Sequence, residues 1–166
     1  MYKKKEESSP NQQTRSDLKS RAIHFISYKP RTSSEIRYFA QKYLKKIDFP
    51  AEEQESLIEG VLFFLRDLRY IDDLDYAQSY ILEQQQLSIP RGPKYVYQFL
   101  SKKGIPSDVI ESALETHFPE DMEKFCIEKI LAKKNYPTNK LIQYLLRRGF
   151  NVGLIYTLID TVAKNH

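Results

Sequence analysis

The chain has 166 residues, 41% of them hydrophobic and 29% charged, with a net charge of +4 at pH 7 and a single cysteine. A chain of this length buries enough surface to fold without disulfides or a structural metal, and one cysteine cannot form an internal disulfide. Apolar runs stay below the ~18 residues that a membrane-spanning helix requires, so we expect a protein of a reducing, cytoplasmic compartment with no membrane segment.

The sequence predicts helices and no strands. Residues 1–15 are rich in Lys, Glu, Ser, Gln and Asn without helical apolar spacing, which predicts a mobile polar tail. From Ser16 onward, apolar residues recur at helical spacing almost to the end, and the alternation typical of strands is absent. The fold is therefore expected to be all-α.

Apolar positions also repeat at a fixed distance along the chain. Leu154 stands 45 residues after Val109, and the same distance relates the apolar positions of segment 77–114 to those of segment 122–159 over three successive helices. Tyr80, for example, is equivalent to Phe125. Isolated amphipathic helices would rarely keep one register in this way, so the pattern indicates tandem repeats.

We therefore predict three tandem three-helix repeats: repeat 1 at 16–67, repeat 2 at 68–118 and repeat 3 at 119–166. Repeat 1 is the looser copy, because its helices stand at different distances from their counterparts. A three-helix group of this size cannot bury all of its apolar surface alone, so the repeats should lean on one another in an elongated, curved array.

Two polar signals predict helix starts. Thr32 and Glu35 have the spacing of a capping box, in which each side chain accepts from a backbone amide of the other residue, and this starts the second helix of repeat 1. Asp72 and Asp73 should start repeat 2, because carboxylates stabilise the exposed amides and positive end of a helix.

Glycines predict two helix ends. Gly104 follows the basic pair Lys102-Lys103, and Gly149 follows Arg147-Arg148. Cations near the last carbonyls and a glycine in the left-handed conformation are typical of a helix C-terminus. Repeat 1 ends its second helix at Lys45-Lys46 without a following glycine, which leaves the direction of its third helix open.

The residues show no catalytic constellation. The five glycines never form a phosphate-binding motif, and the three histidines and Cys126 are scattered, so neither a metal site nor an activated nucleophile is predicted. Asp72 and Asp73 could be an acid–base or magnesium pair, but their place at a helix start favours capping. We expect no enzymatic activity and no cofactor.

The basic residues recur at matching places in the repeats. Complementing the helix dipole explains each pair without a ligand, whereas cations aligned along stacked repeats could follow a phosphate backbone or an acidic protein groove. Tyrosines such as Tyr144 could stack on bases, but they are expected mainly in packing. The candidate binding residues are Arg31, Arg91, Lys94, Lys102, Lys103, Lys140, Arg147 and Arg148.

Three stretches, taken together, resemble the RecX family of bacterial regulators of the RecA recombinase. They are Arg31-Thr32-Ser33-Ser34-Glu35-Ile36, Tyr70-Ile71-Asp72-Asp73-Leu74-Asp75-Tyr76-Ala77, and Arg91-Gly92-Pro93-Lys94 followed by Lys102-Lys103-Gly104-Ile105. The resemblance runs from about Ser16 to the end. The signature residues that it marks as mainly structural are Ser34, Glu35, Asp72, Asp73, Tyr76, Gly92 and Gly104.

The resemblance implies a monomeric, non-enzymatic regulator in DNA recombination, repair and the SOS response. Members of the family are described as lying in the groove of the RecA filament on single-stranded DNA, where they restrain ATP hydrolysis, strand exchange and co-protease activity. Single- or double-stranded DNA is then a further expected partner. The alternative is an autonomous helical nucleic-acid-binding module without a recombinase partner.

Overall fold

The computed structural model describes residues 10–164, and these residues form nine α-helices and no strand. The all-α prediction is confirmed. The helices are α1 (Pro10–Ser27), α2 (Ser33–Lys46), α3 (Ala51–Asp67), α4 (Asp73–Gln86), α5 (Pro93–Lys102), α6 (Ser107–His117), α7 (Glu120–Leu131), α8 (Thr138–Arg147) and α9 (Val152–Lys164).

The structure differs from the predicted polar tail, 1–15, over residues 10–15. Residues 10–15 are helical, because Pro10 is tolerated in the first turn of a helix and the turns that follow make polar contacts. The amide of Asn11 donates to the carboxylate of Glu53 on α3. Polar anchoring of this kind leaves no apolar periodicity in the sequence. Residues 1–9 of the predicted tail lie outside the described part of the chain.

The chain divides into two compact units between Asp72 and Asp73. In the N-terminal unit, α1, α2 and α3 pack pairwise around one core. Its fully buried large side chains are Leu18, Ile36, Leu44, Ile58, Leu62 and Leu65.

The C-terminal unit holds six helices, α4 to α9, around a single second core. That core includes Ile81 of α4, Leu100 of α5, Ile127 of α7 and Leu145 of α8. The predicted boundary between repeats 2 and 3, at 118–119, therefore falls inside one shared core. The division into three repeats stays a prediction about the sequence pattern.

The predicted capping box at the start of α2 is present. The amide of Glu35 donates to Oγ1 of Thr32 at 3.2 Å, and the amide of Thr32 donates to Oε2 of Glu35 at 3.2 Å. At the start of the C-terminal unit, α4 begins at Asp73, directly after Asp72. Both positions match the helix starts predicted from the sequence.

Helix ends follow one backbone pattern at four places. The predicted left-handed conformation is confirmed at Gly104 (φ +75°) and Gly149 (φ +85°). Asp48 and Arg69, at φ +53° and +55°, take the same conformation after α2 and α3 without being glycine. At each end the next residue's amide reaches back to a carbonyl five residues earlier, as from Phe49 to Leu44 at 3.0 Å.

Two local differences distinguish the helices that the repeat pattern equates. Helix α2 has 14 residues and α5 and α8 have 10 each, so α2 carries one more turn. On α7, Phe125 is 54% exposed, whereas its counterpart Tyr80 is packed against the core. The buried stripe of α7 runs through Glu123, Cys126, Ile127 and Ile130, and Phe125 lies beside it.

Candidate functional site

The candidate binding residues lie in both units. Arg31 precedes α2 in the N-terminal unit, while the other seven lie in the C-terminal unit, around the two ends of α5 and along α8. The structure places the start of α5 against the end of α8. We call residues 89–94 and 148–149 the α5–α8 joint.

Backbone hydrogen bonds hold the α5–α8 joint. The amide of Gly92 donates to the carbonyl of Arg148 at 2.8 Å, and the amide of Lys94 donates to the carbonyl of Gly149 at 3.1 Å. The second bond satisfies an amide at the start of α5 that has no partner inside its own helix. A Cβ on Gly92 would stand 2.5 Å from the carbonyl carbon and oxygen of Gly149, so the close approach requires glycine.

The side chain of Arg148 completes this joint. Its Nε donates to the carbonyl of Pro90 at 2.8 Å and its Nη2 to the carbonyl of Ile89 at 2.5 Å. Burial lowers the pKa of Arg148 from its ordinary value, and the nearby charge of Arg91 adds to this effect. Arg148 therefore serves an internal contact, and we do not include it in the binding surface proposed below.

Other cations of the predicted set stand on the surface. Lys102 and Arg147 are the last residues of α5 and α8, and both are exposed, as is Lys140 in the first turn of α8. Lys103 caps the end of α5 and lies half-buried, with its amino group 5.8 Å from the centre of the Phe99 ring. These positions suit both the dipole interpretation and an anionic partner.

Lys140 and Arg147 share an open groove of about 310 Å³ with aromatic side chains. We call it the α8 groove, and it is lined by Tyr136, Lys140, Gln143, Tyr144 and Arg147. The rings of Tyr136 and Tyr144 meet edge to face with centres 5.8 Å apart. From Lys140 to Arg147, the lining positions follow the spacing of one helix face.

A groove of similar size lies on α2 in the N-terminal unit. We call it the α2 groove, and it is lined by Phe25, Arg31, Glu35, Tyr38, Phe39 and Lys42. Phe25 stacks on Phe39 with ring centres 4.6 Å apart, and the guanidinium of Arg31 lies 3.8 Å from the centre of Phe25. Arg31 also pairs with Glu35 at 3.7 Å, so the charges of this groove are partly satisfied within it.

The remaining predicted residues lie at the start of α5, on α2 or against the core. The guanidinium of Arg91 lies 4.3 Å from the centre of the Tyr95 ring, while the side chain of Lys94 is exposed. Among the signature residues, Tyr76 packs partly buried against the core and Ser34 is exposed in the first turn of α2. Gly92 belongs to the α5–α8 joint.

Sequence reasoning did not include Tyr136 and Gln143 in the site, and it assigned Tyr144 to packing. A signal for them was present, because the five residues that line the α8 groove stand 105 positions after Arg31, Glu35, Tyr38, Phe39 and Lys42 of the α2 groove. The two sets occupy the same places counted from the starts of α2 and α8. Comparing the exposed positions of the repeats, as well as the buried ones, would have found the groove.

Two buried titratable groups lie on α7. Burial raises the pKa of the Cys126 thiol to about 11, which keeps it protonated and unreactive at neutral pH. Burial also raises the pKa of Glu123, and a hydrogen bond from the amide of Asn151 to its Oε1, at 2.6 Å, partly offsets this. Neither environment is typical of an activated nucleophile.

Among residues 10–164, no group of three or more His, Cys, Asp or Glu side chains is placed to hold a metal ion. Within the same range, no helix is long and apolar enough to cross a membrane.

Several known proteins similar to this chain are named regulatory protein RecX. No family model matches the chain. By sequence it is 30% identical over 147 residues to the regulatory protein RecX of Oceanobacillus iheyensis, a match that covers 83% of this chain and 50% of that protein. The chain thus spans about half the length of the curated relatives it matches.

Two crystal structures have a similar fold. RecX from Lactobacillus salivarius matches with a TM-score of 0.70 and 28% identity, over 91% of this chain and 97% of that one. A second structure, of a regulatory protein RecX, matches with a TM-score of 0.67 and 30% identity, over 90% of this chain and 73% of the other. Both likenesses extend over both units.

Proposed function

Since the chain belongs to the RecX family, we propose that it is a regulatory protein that binds the RecA recombinase filament on single-stranded DNA and restrains its activity. The observation that carries the proposal is the match, at 30% identity, over 73% of a solved chain named regulatory protein RecX. The proposed role is one of binding, because the relatives that share the fold are named regulators.

The surface of the C-terminal unit supports an anionic partner. Lys102, Lys140 and Arg147 are exposed on α5 and α8, and their side chains are long enough to reach a neighbouring molecule while their helices stay packed. Each such cation can displace counterions from a phosphate backbone or pair with an acidic protein surface. A nucleoprotein filament offers both kinds of anion.

The test is RecA-catalysed ATP hydrolysis on single-stranded DNA, measured with increasing amounts of the full chain. We expect the rate to fall in a saturable manner. The chain should also be retained by immobilised RecA when single-stranded DNA is present. An unchanged rate together with no retention would reject the proposal.

A triple variant, Lys102→Gln, Lys140→Gln and Arg147→Gln, tests the surface. Glutamine keeps a long side chain and good helix propensity, so the fold should be retained. We expect this variant to inhibit ATP hydrolysis only at higher concentration. A control, Lys45→Gln and Lys46→Gln at the end of α2, removes two exposed cations from the other unit and shows whether a loss of surface charge elsewhere also weakens inhibition.

The alternative function, a nucleic-acid-binding module without a recombinase partner, has the α8 groove in its favour. Its cations and aromatic rings suit nucleic acid without any protein contact. Retention by immobilised DNA at equal strength with and without RecA, and no effect on ATP hydrolysis, would favour this alternative.

A further inference from the structure

We propose that the α8 groove binds a single strand of nucleic acid, with a base stacked on Tyr136 and backbone phosphates paired with Lys140 and Arg147. The inference deepens the proposed function and rests on it, because it names the component of the nucleoprotein filament that this surface contacts.

The rings of the groove form an accessible stacking platform. Tyr136 is 42% exposed, so part of its ring is open to solvent beside the edge-to-face contact with Tyr144, and a flat group can reach that part. Aromatic side chains beside cations are the usual means by which proteins hold single strands without reading sequence. The amide of Gln143, exposed between the two ends of the groove, can donate to or accept from a base edge.

The charges of the groove are uniform in sign and available. No Asp or Glu occurs between Glu128 and Asp160, whereas this stretch contains six Lys and Arg residues. Lys140 and Arg147 form no ion pair with any residue of the described chain. The amino group of Lys134 lies over the Tyr136 ring, 5.6 Å from its centre, which adds a third cation to the groove.

The α2 groove shows what the same positions look like without this charge. There Glu35 stands at the place of Lys140 and pairs with Arg31 at 3.7 Å. Its main rings, Phe25 and Phe39, already stack on each other. Tyr38 of the α2 groove is exposed, but a polyanion finds fewer available cations there because Arg31 is paired with Glu35, which makes this groove a control for charge within the same chain.

An acidic protein segment is the competing partner for the α8 groove. It would need the cations but would leave the exposed tyrosine ring without a role. A single strand uses both, because each nucleotide carries a phosphate and a flat base. The combination of ring and charge therefore favours nucleic acid.

Tryptophan reporters test the proposal directly, since the chain contains no Trp. Tyr136→Trp places a single indole in the α8 groove, and Tyr38→Trp places one in the α2 groove at a residue that is 61% exposed. Both changes keep an aromatic side chain at the surface, so folding should be unaffected. With an oligothymidylate of about 15 nucleotides, we expect saturable quenching at position 136 and none at position 38.

Charge variants test the phosphate contact. Anisotropy of the dye-labelled oligothymidylate over a salt series should show that Lys140→Gln weakens binding and flattens the slope of log affinity against log salt by about 0.7. Lys42→Gln, at the α2 position equivalent to Arg147, should leave the slope unchanged. Tyr136→Leu should weaken binding about tenfold, because a leucine cannot stack on a base. Tyr136→Phe keeps the aromatic ring and should bind as the wild type does.

Three outcomes would overturn the inference. Equal quenching at positions 136 and 38 would mean general polyanion attraction, and quenching at 136 by polyglutamate but not by oligothymidylate would mean an acidic protein partner. The absence of any binding would also overturn it. Inhibition of RecA measured on the same preparations separates the two proposals, since inhibition retained in Tyr136→Leu and Lys140→Gln would reject only the groove assignment.

Discussion

Arg147 and Arg148 are chain neighbours with the same side chain, yet the structure gives them different environments. Arg148 donates to the carbonyls of Ile89 and Pro90, whereas Arg147 is exposed. We expect Arg148→Gln to lower the free energy of unfolding by about 1.5–3 kcal/mol, the range for hydrogen bonds to a charged group. Urea unfolding followed by far-UV circular dichroism measures it.

Arg147→Gln is the matched control, because it removes the same charge from the neighbouring position. It should change the unfolding free energy by no more than about 0.5 kcal/mol. Equal losses in the two variants would show that Arg148 acts through its charge at the helix end and that its contacts with the joint contribute little.

Glu123 gives a pH-dependent prediction. Because burial raises its pKa, the folded chain binds this proton more tightly than the unfolded chain does. The resulting stabilisation is complete below the pKa of an unfolded glutamate and is lost as the pH rises through the raised pKa. Relative to Glu123→Gln, the wild type should therefore gain unfolding free energy as the pH falls from above the raised pKa towards the ordinary pKa of a glutamate.

The two proteins are compared by urea unfolding at each pH, so that effects shared by both cancel in the difference. Glutamine keeps the oxygen that accepts from Asn151, and Glu123→Ala, which removes it, should cost a further ~1–3 kcal/mol at every pH. A wild type that loses stability relative to Glu123→Gln on acidification would contradict the assignment.

Residue-scale signals in the sequence were informative where the cause was local. The capping box of Thr32 and Glu35 and the left-handed Gly104 and Gly149 depend on neighbours a few positions away, and all are present. The role of Arg148 depends on carbonyls 58 and 59 positions earlier in the chain. No local pattern encodes such a contact, so the sequence could not show that the Arg148 side chain has an internal role.

At the scale of elements, the contact between α5 and α8 explains why residue 92 is a glycine. We expect Gly92→Ala to destabilise the fold by about 2 kcal/mol or more, because the new methyl group would meet the backbone of Gly149, which cannot move aside without disturbing α8. Thermal and urea unfolding of the full chain measure the loss.

Gly60 provides the control, since it lies within α3 and a Cβ there would meet only the guanidinium of Arg15, at 4.0 Å. Gly60→Ala should stabilise the protein by about 0.5–1 kcal/mol through helix propensity. If Gly92→Ala were as well tolerated as Gly60→Ala, the joint would have to be looser than the structure shows.

Helix positions were predictable because burial follows the helical period. Ile58, Ile110 and Ile155, which hold equivalent positions in α3, α6 and α9, are all buried. Exposed positions are not marked by hydrophobicity, so the apolar pattern does not show which of them line a groove. The sequence therefore indicates the α8 groove only in part, through Lys140 and Arg147, while it favours packing for Tyr144 and does not single out Tyr136.

At the scale of the whole molecule, the sequence repeat and the packing divide the chain differently. The repeat pattern equates segments 77–114 and 122–159, whereas both contribute to one core in the C-terminal unit. The sequence repeat indicates which helices have similar apolar patterns, whereas the shared core shows which helices stabilise one another by packing. Two segments that the sequence pattern equates can therefore belong to one compact unit.

The division into two compact units predicts which fragments of the chain will fold on their own. Residues 73–166 as a separate fragment should be helical and unfold cooperatively, because their core is complete. Fragments 73–118 and 119–166 should each fail to do so, since Leu100 and Leu145 would lose partners across the cut and the α5–α8 joint would be broken. Far-UV circular dichroism during thermal and urea unfolding distinguishes the cases, and cooperative folding of 119–166 alone would instead show that the third repeat is independent.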